Sequence, residues 1–360
     1  MPPHVSQHVE DASNHMAPLV KFRQPEETDV KTPSQEDAAH KWPDPIPTYH
    51  PVNGWHAHPA RKRDILAAHP EIKQLIGKWL AALLVTANLT IAAAAGLNWE
   101  RIPWLALLAV VYLVGTPINH ACAMIIHETA HDLAAVSVTA NHAIALLANL
   151  PLAVPAAMSF RCYHLLHHSH LGVIGRDLDL PTLQELMAVG CSTCKKMLWH
   201  SLYMFSYGLR PLGWGVKQVS IKGEALNAAL QIAFDVAMAL AFGAPAVAYM
   251  FACTLFAFGM HPCAAHFLQE HYTIRVGVQQ LQPQQQVQHQ AQHQLQETFS
   301  YYGPLNPLIL NLAPHFYDNL VYHTSVWEVM LEFYRRSDLG PASRVTRTMS
   351  QYQVSHGGKS

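Results

Sequence analysis

Long apolar runs without Asp, Glu, Lys or Arg constrain this sequence more than any other feature. Residues 79–97 form a run of 19 such residues, and residues 102–126 form a second of 25. Residues 225–269 contain Asp235 as their single charge and are interrupted at Gly243, Ala244 and Pro245. Because about 20 apolar helical residues cross the hydrocarbon core of a bilayer, these runs predict four transmembrane helices.

The overall composition agrees with a membrane protein. Only 13% of the 360 residues are charged and 50% are hydrophobic, whereas ordinary soluble domains contain about 25% charged residues. This excludes a typical soluble domain and a wholly disordered chain. The net charge of -1 argues against a nucleic-acid partner, because such proteins usually have a basic surplus. Six cysteines with a single CxxC, at Cys191 and Cys194, predict free thiols and no disulfide framework.

The charge pattern predicts the topology of the membrane domain. Basic residues cluster at 61–78, 161–217 and 335–347, and placing all three clusters in the cytosol satisfies the positive-inside rule with four spans and both termini cytosolic. The fold class expected is therefore an all-α integral membrane protein with a helical cap at the cytosolic face. We expect a disordered polar tail at 1–57, the membrane domain at 58–345 with a Gln/His-rich insertion at 278–296, and a flexible tail at 346–360.

Histidines occur in two groups with helical spacing. His127 and His131 are four residues apart, at the end of the second predicted span, and His164, His167 and His168 follow. These spacings put the imidazoles of each group on one helix face, and imidazole suits iron, zinc and copper. We therefore predict a shared metal site in the helical cap.

A common site requires both histidine groups to lie on the same membrane face. The charge-free segment 133–160 connects them and contains Pro151 and Pro155. It must therefore enter the membrane and return, or lie in the interface. The prolines predict a broken helical pair.

The first group alone is ambiguous. His127-Glu128-Thr129-Ala130-His131 matches the HExxH pattern of zinc proteases, in which Glu128 would be the general base. A membrane-embedded zinc protease is therefore an alternative. However, a catalytic zinc takes three protein ligands and a water, so five histidines favour more than one metal ion.

Longer motifs point to a specific family. They read NHACAMIIHETAHDLA at 119–134, FRCYHLLHHSHLGVIGRDLDLPT at 160–182 and ETFSYYGPLN at 297–306, with HPARKRDILAAHPEIKQLIG at 58–77, GMHPCAAHFLQEHY at 259–272 and YDNL at 317–320. On these motifs the chain resembles the membrane fatty-acid desaturase superfamily and, within it, the sphingolipid delta-4 desaturases (dihydroceramide desaturases). The resemblance extends from about residue 55 to about residue 345, outside the Gln-rich tract.

The resemblance implies an O2-dependent di-iron oxidoreductase of the endoplasmic reticulum membrane. Such enzymes place a trans double bond between carbons 4 and 5 of the sphingoid base of dihydroceramide to give ceramide. Cytochrome b5 and its reductase supply electrons, and no catalytic residue is implied beyond the metal ligands. The histidines that match the family's metal ligands are His127, His131, His164, His167 and His168. The resemblance also implies an extra ligand, for which His271 is the first choice and His266 the second. A di-iron hydroxylase of the same lipid and a non-catalytic lipid-binding relative are the alternatives.

The sequence departs from the family at its third histidine box. The family has HxxHH soon after SYYGPLN, but here Asn311-Leu312-Ala313 leads directly to Pro314-His315, and the remaining histidines after Glu297 are His323 and His356. About three imidazole ligands are therefore missing, which predicts little or no activity for the chain as it stands. The sequence is equally compatible with a true deletion and with an omitted exon.

Overall fold

The computed structural model describes residues 78–213, 221–272 and 326–344. These residues form helices and loops without a β-strand, apart from an isolated antiparallel bridge between Tyr272 and Arg344. Four helices among the described residues are long and apolar enough to cross a membrane, so the predicted class, an all-α multi-pass membrane protein, is confirmed. The expectations for 1–57, 278–296 and 346–360 concern residues outside the described ranges.

The helices are numbered in chain order. A π-helical turn at Val111–Gly115 joins α2 to α3, and 3-10 turns occur at Leu150–Leu152 and Pro262–Ala265. Within the described ranges the α-helices are α1 Lys78–Leu97, α2 Trp104–Val110, α3 Thr116–Ala130, α4 Val138–Asn149, α5 Ala157–Ser169, α6 Leu183–Val189, α7 Thr193–Ser201, α8 Tyr203–Gly213, α9 Ile221–Phe242, α10 Ala244–Ala257, α11 His266–His271 and α12 Val326–Arg335.

The candidate spans follow the apolar runs. They cover Trp79–Leu97, Trp104–Ala130, Lys222–Phe242 and Ala244–Leu268. The last two meet at Gly243, which has a φ of 88° that glycine adopts without steric cost. The predicted break between the third and fourth spans is therefore confirmed.

The segment between the two histidine groups is a bent helical pair. Helices α4 and α5, with the turn Leu150–Leu152 between them, form an angle of 115°, so the break predicted from Pro151 and Pro155 is present. A break inside an apolar bundle exposes backbone carbonyls that must find donors. Side chains from other helices supply them: Gln231 Nε2 to Leu150 O at 3.1 Å, Asn119 Nδ2 to Pro151 O at 3.1 Å and Thr254 Oγ1 to Leu152 O at 2.7 Å.

Helix α9 presents a polar stripe to this break. Asn227, Gln231 and Asp235 are spaced by four residues and therefore share one helix face. Asn227 accepts a hydrogen bond from the Met158 N–H at 3.1 Å, and Gln231 accepts one from Asn149 at 2.6 Å. Gln231 also donates to the Asp235 carboxylate at 2.9 Å. The polar residues of this span thus hold the ends of α4 and α5 together.

The last described segment packs on the helices that follow α5. The buried ammonium of Lys196 on α7 donates to the carbonyls of Phe333, Arg336 and Leu339 at 2.5, 2.7 and 3.1 Å, which satisfies carbonyl groups at the C-terminal end of α12. Burial lowers the pKa of Lys196. The guanidinium of Arg344 donates to the carbonyl of Asp179, in the loop that follows the second histidine group.

Candidate metal centre

The first histidine group lies at the end of a long helical segment. Helix α3 ends at Ala130, with His131 as its C-cap residue. His127 is 3% exposed and His131 is half-buried. Their ring centroids are 4.9 Å apart, as expected for residues one turn apart on one face.

The second histidine group lies on α5 and faces the first. Nε2 of His164 is 2.9 Å from Nε2 of His131 and 2.8 Å from Nε2 of His168. The ring of His127 lies 4.3 Å from that of His164 between centroids. Phe160 stacks on His164 at 4.8 Å and 14°, which covers one face of this imidazole. The bent pair α4–α5 therefore returns the chain so that both predicted groups converge.

Four imidazoles fit a single metal ion. One ligand nitrogen from each of His127, His131, His164 and His168 lies within 4.8 Å of the other three. Metal–imidazole bonds are about 2.0–2.1 Å, so two nitrogens at right angles on one ion would be about 3 Å apart. The Nε2 separations of 2.8 and 2.9 Å match this value. Both the chemistry and the spacing of the donors thus fit a transition metal.

His167 lies beside these four residues and has a carboxylate partner. Its ring centroid is 5.3 Å from that of His168. Its Nδ1 is 2.8 Å from Oδ1 of Asp177 and 3.6 Å from Oδ2 of Asp179, and His167 and Asp177 are fully buried. A carboxylate on one ring nitrogen holds the proton there and leaves the other nitrogen as a metal ligand.

The Asp177 carboxylate is itself firmly held. Oδ2 accepts the Gly172 N–H at 2.7 Å and Oδ1 accepts the Asp179 N–H at 2.9 Å. Burial raises the pKa of Asp177, but His167, Arg344 and the Gly172 N–H outweigh it and lower the pKa to about 2. Asp177 is therefore ionised and accepts hydrogen bonds at neutral pH.

Glu128 lies next to His127 and also faces a ring nitrogen. Its buried carboxylate is 3.4 Å from Nδ1 of His127. This position suits a group that orients an imidazole. The zinc-protease alternative instead assigns Glu128 the role of general base.

His266, the second choice for the extra ligand, is not one of the four clustered histidines. Nδ1 of His266 is 2.8 Å from Nε2 of His120 and 2.9 Å from the carbonyl of Cys263. His120 lies two turns before His127 on the same segment. The side chain of His271 lies outside the described ones, as do His315 and His323, so the structure brings together four of the six predicted ligands and places His167 at their side.

Two family models match this chain. The family model "Fatty acid desaturase" matches residues 102–324, and the model "Sphingolipid Delta4-desaturase (DES)" matches residues 54–78. The chain belongs to the fatty acid desaturase family. The first match spans both histidine groups and the segment in which the third is missing.

Individual relatives of this chain are named as sphingolipid delta(4)-desaturases. A sphingolipid delta(4)-desaturase DES1-like protein of Oryza sativa subsp. japonica is 33% identical over 81% of this chain and 90% of its own length. The sphingolipid delta(4)-desaturase/C4-monooxygenase DES2 of Mus musculus is 34% identical over 81% and 92%. The sphingolipid delta(4)-desaturase DES1 of Bos taurus is 32% identical over 82% and 94%. No solved structure matches the chain.

These matches confirm the resemblance that the motifs indicated and with it the desaturase interpretation. They disfavour the zinc-protease alternative. Sequence reasoning did not single out Asp177, whose carboxylate is 2.8 Å from Nδ1 of His167. Its signal was present, because Asp177 belongs to the GRDLDLPT motif, but the sequence does not show that the loop folds back on His167.

Proposed function

We propose that this chain is a membrane sphingolipid desaturase of the delta(4) type, with dihydroceramide as substrate and ceramide as product, whose turnover is limited by the absence of the third histidine box. The observation that supports this most directly is the convergence of His127, His131, His164 and His168 in a chain whose relatives are sphingolipid delta(4)-desaturases. The reaction would place a trans double bond between carbons 4 and 5 of the sphingoid base.

The proposed ligands are the five histidines of the two groups, together with His271, or His266 in its place. Desaturases of this family use two iron ions held by three boxes. Six nitrogens leave about three for each of two ions, so we propose that the chain as it stands holds at most one iron tightly. Bound iron supplies, with O2 and electrons from cytochrome b5 and its reductase, the oxidising power that an unactivated C–H bond requires.

The protein residues contribute binding and orientation. His131, His164 and His168 direct their Nε2 atoms to one point, and Asp177 keeps the proton of His167 on Nδ1. The lipid substrate would lie along the apolar helices with its head near these histidines. We propose that the histidine face is cytosolic, that both termini are cytosolic and that the membrane is that of the endoplasmic reticulum.

A hydroxylase outcome is the second candidate. Its support is the mouse relative, which is named a delta(4)-desaturase/C4-monooxygenase and is as similar to this chain as the desaturases are. Both reactions begin by breaking a C–H bond of the same lipid, so the same metal centre serves either.

Product analysis tests the proposal. Microsomes containing the chain are given dihydroceramide, NADH, cytochrome b5 and its reductase, and the lipids are analysed by mass spectrometry. The same assay is run on a chain in which an HxxHH segment with the helix that normally follows it in the family is inserted between Ala313 and Pro314. We expect little or no product from the first chain and ceramide from the second. A 4-hydroxylated product from the repaired chain would favour the hydroxylase, and full turnover by the unrepaired chain would contradict the proposed limit.

A further inference from the structure

Arg161 on α5 contacts the end of α3 through four hydrogen bonds. Its Nη1 donates to the carbonyls of Thr129 and Ala130 at 2.8 and 2.7 Å. Nη1 and Nη2 also donate to the two carboxylate oxygens of Asp132 at 3.0 and 2.8 Å. The planar guanidinium thus satisfies carbonyl groups at the helix end and forms a two-point ion pair with the same segment.

The backbone that Arg161 contacts has an uncommon conformation. Asp132 has a φ of 57°, in the left-handed region that residues other than glycine seldom adopt. This turn comes directly after His131 and sends the chain away from the axis of α3. A residue in this conformation persists when the surrounding contacts determine it, and the two bonds from Arg161 to the Asp132 carboxylate are such contacts.

These contacts join the two histidine groups at one place. Thr129, Ala130 and Asp132 flank the ligand His131, while Arg161 lies one helical turn before His164 on the same α5 face. The Nε2 atoms of His131 and His164 are 2.9 Å apart. A shift of α3 against α5 would therefore change the distance between these two nitrogens.

We propose that Arg161 and Asp132 form a clamp that sets the distance between His131 and His164, so that Arg161 is a positioning residue for metal binding. The inference rests on the proposed metal centre and adds to it a determinant that is not a ligand. Arg161 is 19% exposed and Asp132 is 36% exposed, so the pair lies at the edge of the protein, where polar substitutions fit.

The clamp predicts unequal effects of three substitutions. Arg161→Gln removes the ion pair and most donors, and we expect a loss of metal affinity of about 10–100-fold, as for other partners that orient ligands. Arg161→Lys keeps the charge but presents no planar fork, so we expect an intermediate loss. Asp132→Asn keeps a side chain that tolerates a positive φ and leaves the bonds to the carbonyls, so its loss is the smallest of the three.

Cobalt(II) binding to the purified full chain tests the clamp. The ion's visible absorption reports ligand geometry, and competition with a chelator reports affinity. Thermal unfolding of each variant without metal measures the structural contribution separately. Arg101→Gln is the matched control, because Arg101 is an exposed arginine in the turn between the first two spans. We expect the control to match the parent protein in all three measurements.

The outcomes separate the clamp from the metal centre. The clamp is supported if Arg161→Gln weakens cobalt binding more than Arg161→Lys does, and if both substitutions alter the absorption spectrum of the bound cobalt. It is overturned if Arg161→Gln binds cobalt like the parent, whatever happens to its thermal midpoint. If Arg161→Gln does not fold, an Asp132→Asn variant with unchanged affinity and spectrum overturns it. A parent chain that binds no cobalt overturns the metal centre and the clamp with it.

Discussion

His167 and Asp177 show how single side chains prepare this site. The imidazole reaches the four-histidine cluster, but its proton position is set by a carboxylate ten residues further along the chain, at 2.8 Å. That carboxylate is kept ionised by its own partners. Histidine is a metal ligand only through a nitrogen without a proton, so the pair affects metal binding although Asp177 need not touch the ion.

Substitution of Asp177 by asparagine should lower metal affinity. The amide would have no negative charge to hold the His167 proton, so the favoured tautomer of His167 would change. We expect affinity to fall about 10–100-fold, measured by chelator competition. Asp338→Asn removes a carboxylate that is 61% exposed and paired with Arg336, and should leave affinity unchanged. Equal affinities for the parent and Asp177→Asn would show that His167 does not depend on this partner.

His200 predicts a pH dependence of stability. It is fully buried between the hydroxyl of Tyr334 and the carbonyl of Ala264, and burial lowers its pKa to about 4, although the Ala264 carbonyl opposes the shift. Its unfolded pKa is about 6.5, so the unfolded chain binds the proton first. The stability present above pH 6.5 is therefore lost as the pH falls toward 4.

Between pH 7 and pH 5 this histidine should cost about 2 kcal/mol of unfolding free energy. The measurement is denaturation of the detergent-solubilised protein at both pH values, for the parent and for His200→Gln. The parent should lose more stability than the variant by about that amount. Identical pH dependence in the two proteins would mean that folding does not lower the pKa of His200.

At the scale of elements, α4 and α5 determine whether the site exists. The sequence predicted their break from Pro151 and Pro155, and it predicted the histidine stripes from spacing alone, because both are local features. It did not predict the partners of the break, since Asn119, Gln231 and Thr254 come from three distant helices. The contact between Asp177 and His167 was not predicted either, because it also depends on how the chain folds. Length and lack of charge identified the spans, whereas tertiary contacts between polar residues could not be derived from the sequence.

Substitution of Gln231 tests how the break between α4 and α5 is stabilised. Gln231→Leu would remove the side-chain donor to Leu150 O and the acceptor of the Asn149 amide, so both groups lose a hydrogen bond at a buried position. Each such group costs about 1–3 kcal/mol, so we expect a clearly lower thermal midpoint in detergent. Ile232→Leu, at a neighbouring position that is 61% exposed, is the control and should melt like the parent. A parent-like midpoint for Gln231→Leu would indicate that water or lipid replaces its bonds.

At the scale of the whole molecule, the proposed topology can be tested without activity. Four spans with basic flanks on one side predict that both termini are cytosolic. In sealed microsomes, protease added outside should cleave within the tails expected at residues 1–57 and 346–360. Protection of the N-terminal segment would contradict the proposed topology, because it would mean that this segment is not on the cytosolic side.

The central proposal is that this desaturase chain binds at most one iron tightly, because it lacks ligands for a second. Iron per chain, determined by elemental analysis of purified protein after removal of loosely bound metal, tests it most directly. We predict at most one iron in the chain as it stands and two after an HxxHH segment with its following helix is inserted between Ala313 and Pro314. Two tightly bound irons in the unrepaired chain would contradict the account and would mean that His266, His315 or His323 replaces the missing box.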